Sequence, residues 1–208
     1  MRTKIALAIV LVAAVAACDD AAGPGTGLDA EELATLSDAM VAGDFAYSAG
    51  VATAGQPDGA TIALDPVTAT GEFSGARPCP AGGQVLFEGT RTRTWDPDTQ
   101  EGSADLAMTK THQECAREVR STVITLNGDP DIAVEAHHAW NAEGPVGLQT
   151  LSMHGAFTWS TDDGREGSCT VDIEASFDPE TMTRTVAGTF CEHTWEETTT
   201  WSGGGQGR

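Results

Sequence analysis

The sequence predicts a mainly β protein, an antiparallel meander of about seven or eight strands that closes as a barrel or a sandwich, with a short N-terminal helix. The 208-residue chain contains 24 Gly, 9 Pro and only 6% aromatic residues, a composition that favours strands and turns over a helical bundle. Apolar and polar residues alternate over much of the chain after residue 71, as in half-buried strands. Short turn sequences separate these runs, and tight connections join antiparallel neighbours.

The charge of the chain limits its partners. The formal net charge is −20 and the isoelectric point is about 4.3. Nucleic-acid binding needs clustered Lys and Arg that neutralise phosphates, so we expect no nucleic-acid partner. The same charge disfavours electrostatic attraction to an anionic membrane surface.

The N-terminus has the pattern of an export signal. Arg2 and Lys4 form a short basic region, and the run from Ile5 to Ala17 carries no charge. That run is too short to span a bilayer, which needs about 20 residues in a helix. Residues 1–17 are therefore predicted to be a signal peptide that is removed on export.

The end of this signal resembles the lipobox of bacterial lipoproteins. Val15, Ala16 and Ala17 are small residues that precede Cys18. The resemblance implies that the Cys18 thiol receives a diacylglyceryl group, that cleavage follows, and that Cys18 becomes the first residue. Two or three acyl chains would anchor the protein stably to a membrane, whereas one chain anchors only marginally. An apolar segment that merely ends at a cysteine is the alternative.

The sequence leaves open which bacterial membrane would hold the exported protein. Asp19 and Asp20 follow Cys18, and an Asp in this place resembles an inner-membrane retention signal of some Gram-negative bacteria. Because that rule varies between lineages, the sequence does not distinguish the inner from the outer membrane. We expect a protein of the bacterial cell envelope, on the periplasmic face or at the cell surface.

Three further segments are predicted after the signal. Residues 18–27 comprise the lipidated cysteine and a flexible tether without a hydrophobic period. Residues 28–201 form a single β-rich domain, and the Gly-rich residues 202–208 a disordered tail. Asp29 and Glu32 resemble a capping box before apolar residues at helical spacing, which predicts a helix over 29–41. The segment 43–70 is expected to be loop with one or two short strands.

Alternation and turn residues place the strands. One face of the best-defined strand holds Ile132, Val134, Ala136, His138 and Trp140. The same pattern recurs in Leu151, Met153, Phe157 and Trp159, and again in Cys169, Val171, Ile173, Ala175 and Phe177. The predicted strands are 84–95, 103–112, 119–126, 131–140, 146–159, 166–177 and 182–195. The turns between them are centred on 96–99, 127–130, 141–144, 161–164 and 178–181.

The cysteines that remain after Cys18 predict two disulfides. Cys79 and Cys115 lie at nearly equal distances from the turn at 96–99, and Cys169 and Cys191 from the turn at 178–181. The pairs Cys79–Cys115 and Cys169–Cys191 are therefore expected, in an oxidising compartment.

The second pair conflicts with the apolar faces of its hairpin. The register that best matches those faces sets Ile173 opposite Val186 and Cys169 opposite Phe190, so Cys191 points the other way. A β-bulge at Gly188 would reconcile the two observations.

Metal binding is the competing interpretation of the cysteines. His112 precedes Cys115 by three residues, and His193 follows Cys191 by two. Mixed thiolate and imidazole sites bind zinc, but the usual close pair of cysteines is missing and export favours oxidation. The acidic turns could attract calcium, yet none matches an EF-hand loop. We predict no metal site and no cofactor.

No catalytic motif is found in the sequence. There is no G-x-S-x-G elbow, P-loop, H-E-x-x-H or G-x-G-x-x-G motif. His138 is expected in the core, and His137 and His154 on the wetter face. Arg91 and Arg93, with Thr90, Thr92 and Thr94, suggest a polar ladder on a solvated sheet face. The tryptophans close the core or line the mouth of an apolar site, and we favour core closure.

One internal segment carries a second resemblance. Phe73 to Gly83, with a second cysteine some distance on, is similar to small uncharacterised β-rich lipoproteins of Gram-negative bacteria, and this resemblance implies no activity. Our leading hypothesis is a lipid-anchored binding or structural module of the envelope, with no catalytic residue. The alternatives are a carrier with a small apolar ligand in a β-barrel cavity and, third, a hydrolase in which a histidine contacts both a serine and a carboxylate.

Overall fold

The computed structural model describes residues 27–54, 66–128 and 131–201. The predicted signal peptide, Cys18, the tether up to residue 26 and the tail after residue 201 lie outside the described residues. Within these ranges the chain has one helix and ten strands. They are α1 (Ala30–Thr53), β1 (Val67–Pro78), β2 (Gly82–Asp96), β3 (Glu101–Val119), β4 (Thr122–Asn127), β5 (Ile132–Asn141), β6 (Gly144–Pro145), β7 (Gln149–Thr161), β8 (Glu166–Asp178), β9 (Thr183–Phe190) and β10 (His193–Thr200).

The strands form one antiparallel sheet, so the predicted fold class is confirmed. The order is β1-β2-β3-β4-β7-β8-β9-β10, and β5 also lies between β3 and β7. β4 and β5 follow one another along β3, with Cys115 opposite Leu126 and Lys110 opposite Ile132. The sheet therefore has eight positions, in a meander. No hydrogen bonds join β1 to β10 in the part of the chain that the structure describes.

The sheet curves around α1. Arg77 on β1 donates to the Gly43 carbonyl at 2.7 Å, and Arg184 on β9 pairs with Asp38. In a flat sheet these two strands would lie about 29 Å apart, at about 4.8 Å per position, whereas a helix with its side chains is about 10–12 Å wide. Strands from both halves of the sheet reach one helix only if α1 lies on a concave face.

The hydrophobic core lies between α1 and this concave face. Leu33, Leu36 and Val41 on the helix are fully buried. The three predicted apolar strand faces are buried or largely so, with Ile132, Met153 and Ile173 at 0% exposure. The predicted orientation of these strands is confirmed.

The helix begins as predicted and ends much later. The Asp29 carboxylate accepts from the Glu32 amide at 2.8 Å, and the Glu32 carboxylate accepts from the Asp29 amide at 2.9 Å, which is a capping box. The prediction of an end at residue 41 and a loop from 43 is wrong, since α1 runs to Thr53. No helix in the described ranges is long and apolar enough to cross a membrane.

Contacts with the sheet explain the longer helix. A Cβ at Gly43 would lie 2.9 Å from Arg77 Nη2, so the glycine leaves room for the guanidinium group to approach the helix closely. Arg91 donates to the Ala54 carbonyl at 2.9 Å, and Arg93 to the same oxygen at 3.2 Å. These guanidinium groups bind the end of the helix where unpaired carbonyls and the negative end of the dipole lie.

Two strand predictions need correction. β1 was missed because it is an edge strand that is exposed along most of its length, and its sequence lacks an apolar alternation. The predicted strand 182–195 is two strands, separated by Cys191 and Glu192. Both residues have positive φ, 50° and 68°, as in the tight turn of a two-residue hairpin.

Both disulfides are present with the predicted partners. The Cα atoms of Cys79 and Cys115 are 5.4 Å apart, and those of Cys169 and Cys191 are 4.3 Å apart. Two such bonds are typical of a protein in an oxidising, exported environment.

The hairpin register differs from the predicted one. Ile173 lies opposite Gly188, and Val171 lies opposite Phe190, a shift of two residues that keeps the buried face unchanged. The ladder between β8 and β9 has no bulge at Gly188. Instead, the left-handed backbone at Cys191 turns its side chain towards Cys169, which resolves the conflict between the disulfide and the apolar faces.

Acidic and amide side chains stabilise the turns that their sequences predict. The Asp96 carboxylate accepts from the Asp98 amide at 2.9 Å, and the Asp178 carboxylate from the Glu180 amide at 2.9 Å. The Asn141 side chain accepts from the Glu143 amide in the same way. These are Asx turns, in which the side chain replaces a backbone acceptor.

Gly188 provides a test of the close packing between β8 and β9. Its φ is +135°, and a Cβ there would lie 2.0 Å from the Asp172 carbonyl oxygen. We expect Gly188→Ala to lower the free energy of unfolding by at least about 2 kcal/mol, measured by urea denaturation.

Gly50→Ala is the matched control. Gly50 lies in α1, and a Cβ there meets no atom within 4 Å. Since Ala favours a helix over Gly, this substitution should raise the free energy of unfolding by about 0.5–1 kcal/mol. Equal effects of the two substitutions would contradict the packing of the β8–β9 pair.

Candidate functional site

An apolar groove lies beside α1, at the end of the sheet where β8 ends and β9 begins. Its volume is about 410 Å³, within the range of about 300–1,000 Å³ that ligand sites occupy. We call it the α1 groove. Its lining residues are Ala42, Phe45, Ala46, Ala49, His138, Pro145, Gln149, Phe177, Arg184 and Trp201.

The sequence of α1 explains why this groove is apolar. From Ala39 to Ala52 the only charged residue is Asp44, so the helix is apolar on almost every side. The sheet covers the side with Met40 and Val41. Ala42, Ala46 and Ala49 lie on another side, and their small side chains leave the space open. Phe177 and Trp201 form the opposite wall, with ring centroids 6.1 Å apart.

His138 closes the inner end of the groove within a hydrogen-bond chain. Its Nε2 lies 2.8 Å from Ser48 Oγ, and its Nδ1 lies 3.2 Å from Gln149 Oε1. The Gln149 amide nitrogen donates to the carbonyls of Ala139 and Val146, which orients its oxygen towards the histidine. His138 Nδ1 therefore donates to Gln149, and the neutral ring accepts the Ser48 proton at Nε2. Burial lowers the pKa of His138, in agreement with a neutral ring.

The described residues do not form the arrangement that the hydrolase hypothesis requires. Ser48 is completely buried, and the partner on the far side of His138 is an amide, not a carboxylate. His137 contacts Asp105 at 2.7 Å and His154 contacts Asp172 at 2.9 Å. Among the described residues no histidine contacts both a serine and a carboxylate. As predicted, His138 lies in the core, and His137 and His154 face solvent.

A second polar cluster is buried on the side of α1 that faces the sheet. Lys110 on β3 donates to Asp44 on α1, and the side chains are 1% and 0% exposed. The Arg77 Nη2 lies 3.9 Å from the other Asp44 oxygen. Removing one partner of a buried ion pair leaves an uncompensated charge and typically costs about 3–5 kcal/mol. Lys110 and Asp44 therefore fix the helix at one position on the sheet.

His112 lies next to this ion pair and carries no charge at neutral pH. Burial, together with the charges of Lys110, Arg77 and Arg117, lowers the pKa of His112 to about 3. Its Nδ1 is buried and has no hydrogen-bond partner in the described part of the chain. The zinc interpretation of His112 and Cys115 finds no support, because Cys115 is bonded to Cys79. No group of three metal-ligating side chains occurs within the described ranges.

The outer face of the sheet has a broad hollow of about 640 Å³ with a mixed polar and apolar lining. Asp105, Glu135 and Glu174 line it, together with His137 and several small residues. Arg91 and Arg93 do not belong to this face. The residues of the predicted polar ladder therefore lie on both faces of β2. Thr92 forms a hydrogen bond with Thr70 on the outer face, whereas Arg91 and Arg93 point to α1.

The tryptophans have both of the roles that their positions suggested. Trp140 and Trp159 are buried in the core, at 7% and 2% exposure. Trp95 and Trp195 pack against the core from its margin. Trp201 is 46% exposed and lines the α1 groove.

The sequence did not predict that several residues belong to these sites. Ser48, Asp44 and Gln149 lie in segments without a recognisable motif, and their partners are distant along the chain. A charged Asp44 within the otherwise uncharged stretch from Ala39 to Ala52 was the one available signal, because such a residue needs a buried partner.

Comparison with known proteins finds no match to this chain. No family model matches the chain, and no curated protein or solved structure matches it either.

The depressed pKa of His112 predicts a dependence of stability on pH. The unfolded histidine titrates near 6.5, and the folded one near 3. Between these values the unfolded chain binds a proton that the folded chain does not, so stability falls as the pH is lowered. The slope from His112 reaches about 1.4 kcal/mol per pH unit. We expect His112→Gln to reduce the slope in urea denaturation between pH 7 and pH 4.

The control for this prediction is His154→Gln. His154 is on the outer face, with 56% of its side chain exposed. Its replacement should leave the slope of the original protein almost unchanged. A His112→Gln protein that loses stability with falling pH as steeply as the original would contradict the assignment.

Proposed function

We propose that this chain is a lipid-anchored protein of the bacterial cell envelope that binds one small, largely apolar molecule in the α1 groove. The observation that supports binding over a purely structural role is the groove itself, about 410 Å³ of open space with apolar walls. An apolar concave surface favours binding of an apolar molecule, because removing apolar surface from water is favourable.

The groove differs from the cavity that the carrier hypothesis expected. The apolar strand faces are packed against one another and against α1, so the space inside the curved sheet is filled. The open space lies beside the helix, between Ala46 and Trp201. The proposed ligand therefore binds between helix and sheet, not within a barrel.

The lining residues suit a ligand with little charge. Arg184 at the margin already pairs with Asp38, and both ring nitrogens of His138 have partners. Phe45, Phe177 and Trp201 offer aromatic surface. Each 100 Å² of apolar ligand surface removed from water contributes about 2.5 kcal/mol before the costs of association are subtracted.

The location is supported by the N-terminal sequence and by the disulfides. Arg2 and Lys4, the apolar run and the small residues before Cys18 follow the order of a lipoprotein signal. Two disulfides agree with export. The acidic chain would be repelled by an anionic leaflet, so acyl chains on Cys18 must supply the attachment.

A structural module of the envelope without a ligand is the competing function. Native mass spectrometry of the protein extracted from its own membrane separates the two. A discrete additional mass of a small molecule would favour the carrier, whereas a subunit-sized mass or none would favour the structural or protein-binding role.

Ala46→Trp tests the groove directly. The indole would occupy the space between α1 and Trp201. We expect the original protein to bind the neutral apolar dye N-phenylnaphthylamine saturably, with an increase in dye fluorescence. In the Ala46→Trp protein the affinity should fall at least tenfold.

The matched control is Ala133→Trp, which adds the same side chain on the outer face of β5, where Ala133 is exposed. This protein should bind the dye as the original does. If both tryptophan variants bind equally well, the α1 groove is not the binding site.

Replacement of Cys18 tests the anchor. In lipoproteins acylation of the cysteine precedes cleavage, so Cys18→Ser should yield a protein that lacks acyl chains and retains residues 1–17. The intact mass of the membrane-extracted protein reports both changes. Asp20→Ala, two residues beyond, should keep the acyl mass. A Cys18→Ser protein that still carries acyl chains would exclude this anchor.

A further inference from the structure

A small cavity lies where the ends of β1 and β3 meet α1, on a different side of the helix from the α1 groove. Its volume is about 160 Å³. Arg77, Lys110 and Arg117 line it, together with Asp44 and His112. The disulfide between Cys79 and Cys115 forms part of its wall. We call it the cation cavity.

Three positive charges and one carboxylate face this space, so the lining carries a net charge of about two positive units at neutral pH. The rest of the protein is strongly acidic, with 31 Asp and Glu against 11 Lys and Arg in the whole chain. The net charge of the cavity lining is therefore opposite in sign to the net charge of the whole chain.

Arg117 differs from the other described basic residues in having no partner. Each of the others in the described ranges contacts α1 or the residue that caps it: Arg77, Arg91, Arg93, Lys110, Arg120, Arg165 and Arg184. Arg117 is half-buried and makes no hydrogen bond or ion pair with any residue that the structure describes. Burial and the nearby charge of Arg77 lower its pKa, whereas the negative charge of Asp44 acts in the opposite direction. Two guanidinium groups that repel each other beside a cavity favour an anion between them.

Two buried polar atoms at the cavity also lack hydrogen-bond partners among the described residues. They are Asp44 Oδ1 and His112 Nδ1, in residues that are 0% and 4% exposed. A buried polar atom without a hydrogen-bond partner is unfavourable, because it has lost its contacts with water. A ligand that both accepts and donates hydrogen bonds would satisfy the site.

We propose that the cation cavity binds a phosphate group, either as inorganic phosphate or as the phosphate ester of a larger molecule. Arg117 and Arg77 bind the anionic oxygens, and guanidinium groups suit such oxygens because they present paired donors. Lys110 contributes positive charge while it holds Asp44. The cavity volume equals that of about five water molecules, enough for one tetrahedral oxyanion.

Asp44 makes the proposed site selective between oxyanions. An ionised carboxylate only accepts hydrogen bonds, so its free oxygen needs a donor. Inorganic phosphate retains at least one proton at neutral pH and can donate it to Asp44 Oδ1. Sulfate has no proton, so its oxygens would face the carboxylate as like charges. Phosphate should therefore bind more tightly than sulfate, although the two ions have similar shapes.

Isothermal titration calorimetry of the full exported chain tests this proposal at pH 7 and constant ionic strength. We expect one phosphate per chain and at least tenfold weaker binding of sulfate. Glycerol phosphate distinguishes the source of the group when it is titrated at pH 6, where about half of the monoester keeps a proton for Asp44. Binding equal to that of inorganic phosphate at the same pH indicates an ester, and much weaker binding indicates the free ion. Arg117→Met should weaken phosphate binding at least tenfold, and Arg117→Lys should recover part of the loss.

The control variant is Arg120→Met, three residues further along the chain. Arg120 pairs with Glu31 at 2.8 Å and is 52% exposed, so its removal changes the net charge equally but leaves the cavity intact. It should bind phosphate as the original does. Absence of saturable phosphate binding, equal binding of sulfate, or unchanged binding by Arg117→Met would each overturn the proposal. Because Arg117 has no partner within the described ranges, its replacement should not unfold the protein, and circular dichroism verifies this.

Discussion

The attachment of α1 to the sheet is the interaction on which the rest of the structure depends. Basic side chains from strands at both ends of the sheet bind the helix: Arg77 on β1 at its middle, Arg91 on β2 at its C-terminus and Arg184 on β9 near Asp38. At the N-terminus, Arg165 forms two hydrogen bonds of 2.9 Å with Glu32. The hydrophobic core supplies most of the stability, but apolar contacts are not directional. The hydrogen bonds and ion pairs of these arginines are directional. They therefore determine where the helix lies on the sheet and keep both ends of the sheet close to it.

The two cavities follow from this arrangement. The second half of α1 is apolar on nearly every side, so it must be covered on all of them or leave an apolar surface exposed. The curved sheet covers the side with Leu36 and Val41 and leaves the side with Ala42 and Ala46 open to the α1 groove. On the covered side, Asp44 requires cations in the core, and their side chains surround the cation cavity.

The sequence predicts local features of this fold well and relationships between distant residues poorly. Alternation located β5, β7 and β8, because each has one buried and one solvated face. It did not reveal that the predicted strand 182–195 is two strands. It failed for β1, an edge strand that is exposed along most of its length. The capping box marked the start of α1, but its end depends on Arg91 and Arg93, which are some forty residues away in the chain.

The disulfides and the candidate sites show the same distinction. Equal spacing from a turn was enough to pair Cys169 with Cys191, although the left-handed backbone at Cys191 that permits the bond has no signature in the sequence. His138 was correctly assigned to the core from its strand. Its partners Ser48 and Gln149 come from other elements, and only the packing of α1 on the sheet brings them together.

Both cavities depend on one stretch of α1. Asp44 faces the cation cavity and the adjacent Phe45 faces the α1 groove. Lys110 holds this turn at Asp44, and His138 holds the next one at Ser48. These contacts join residues of the chain itself, so the fold alone fixes the walls of both cavities. A site that is already formed does not lose the free energy of ordering its walls when a ligand binds. The buried ion pair thus positions the helix and also prepares the surfaces on either side of it.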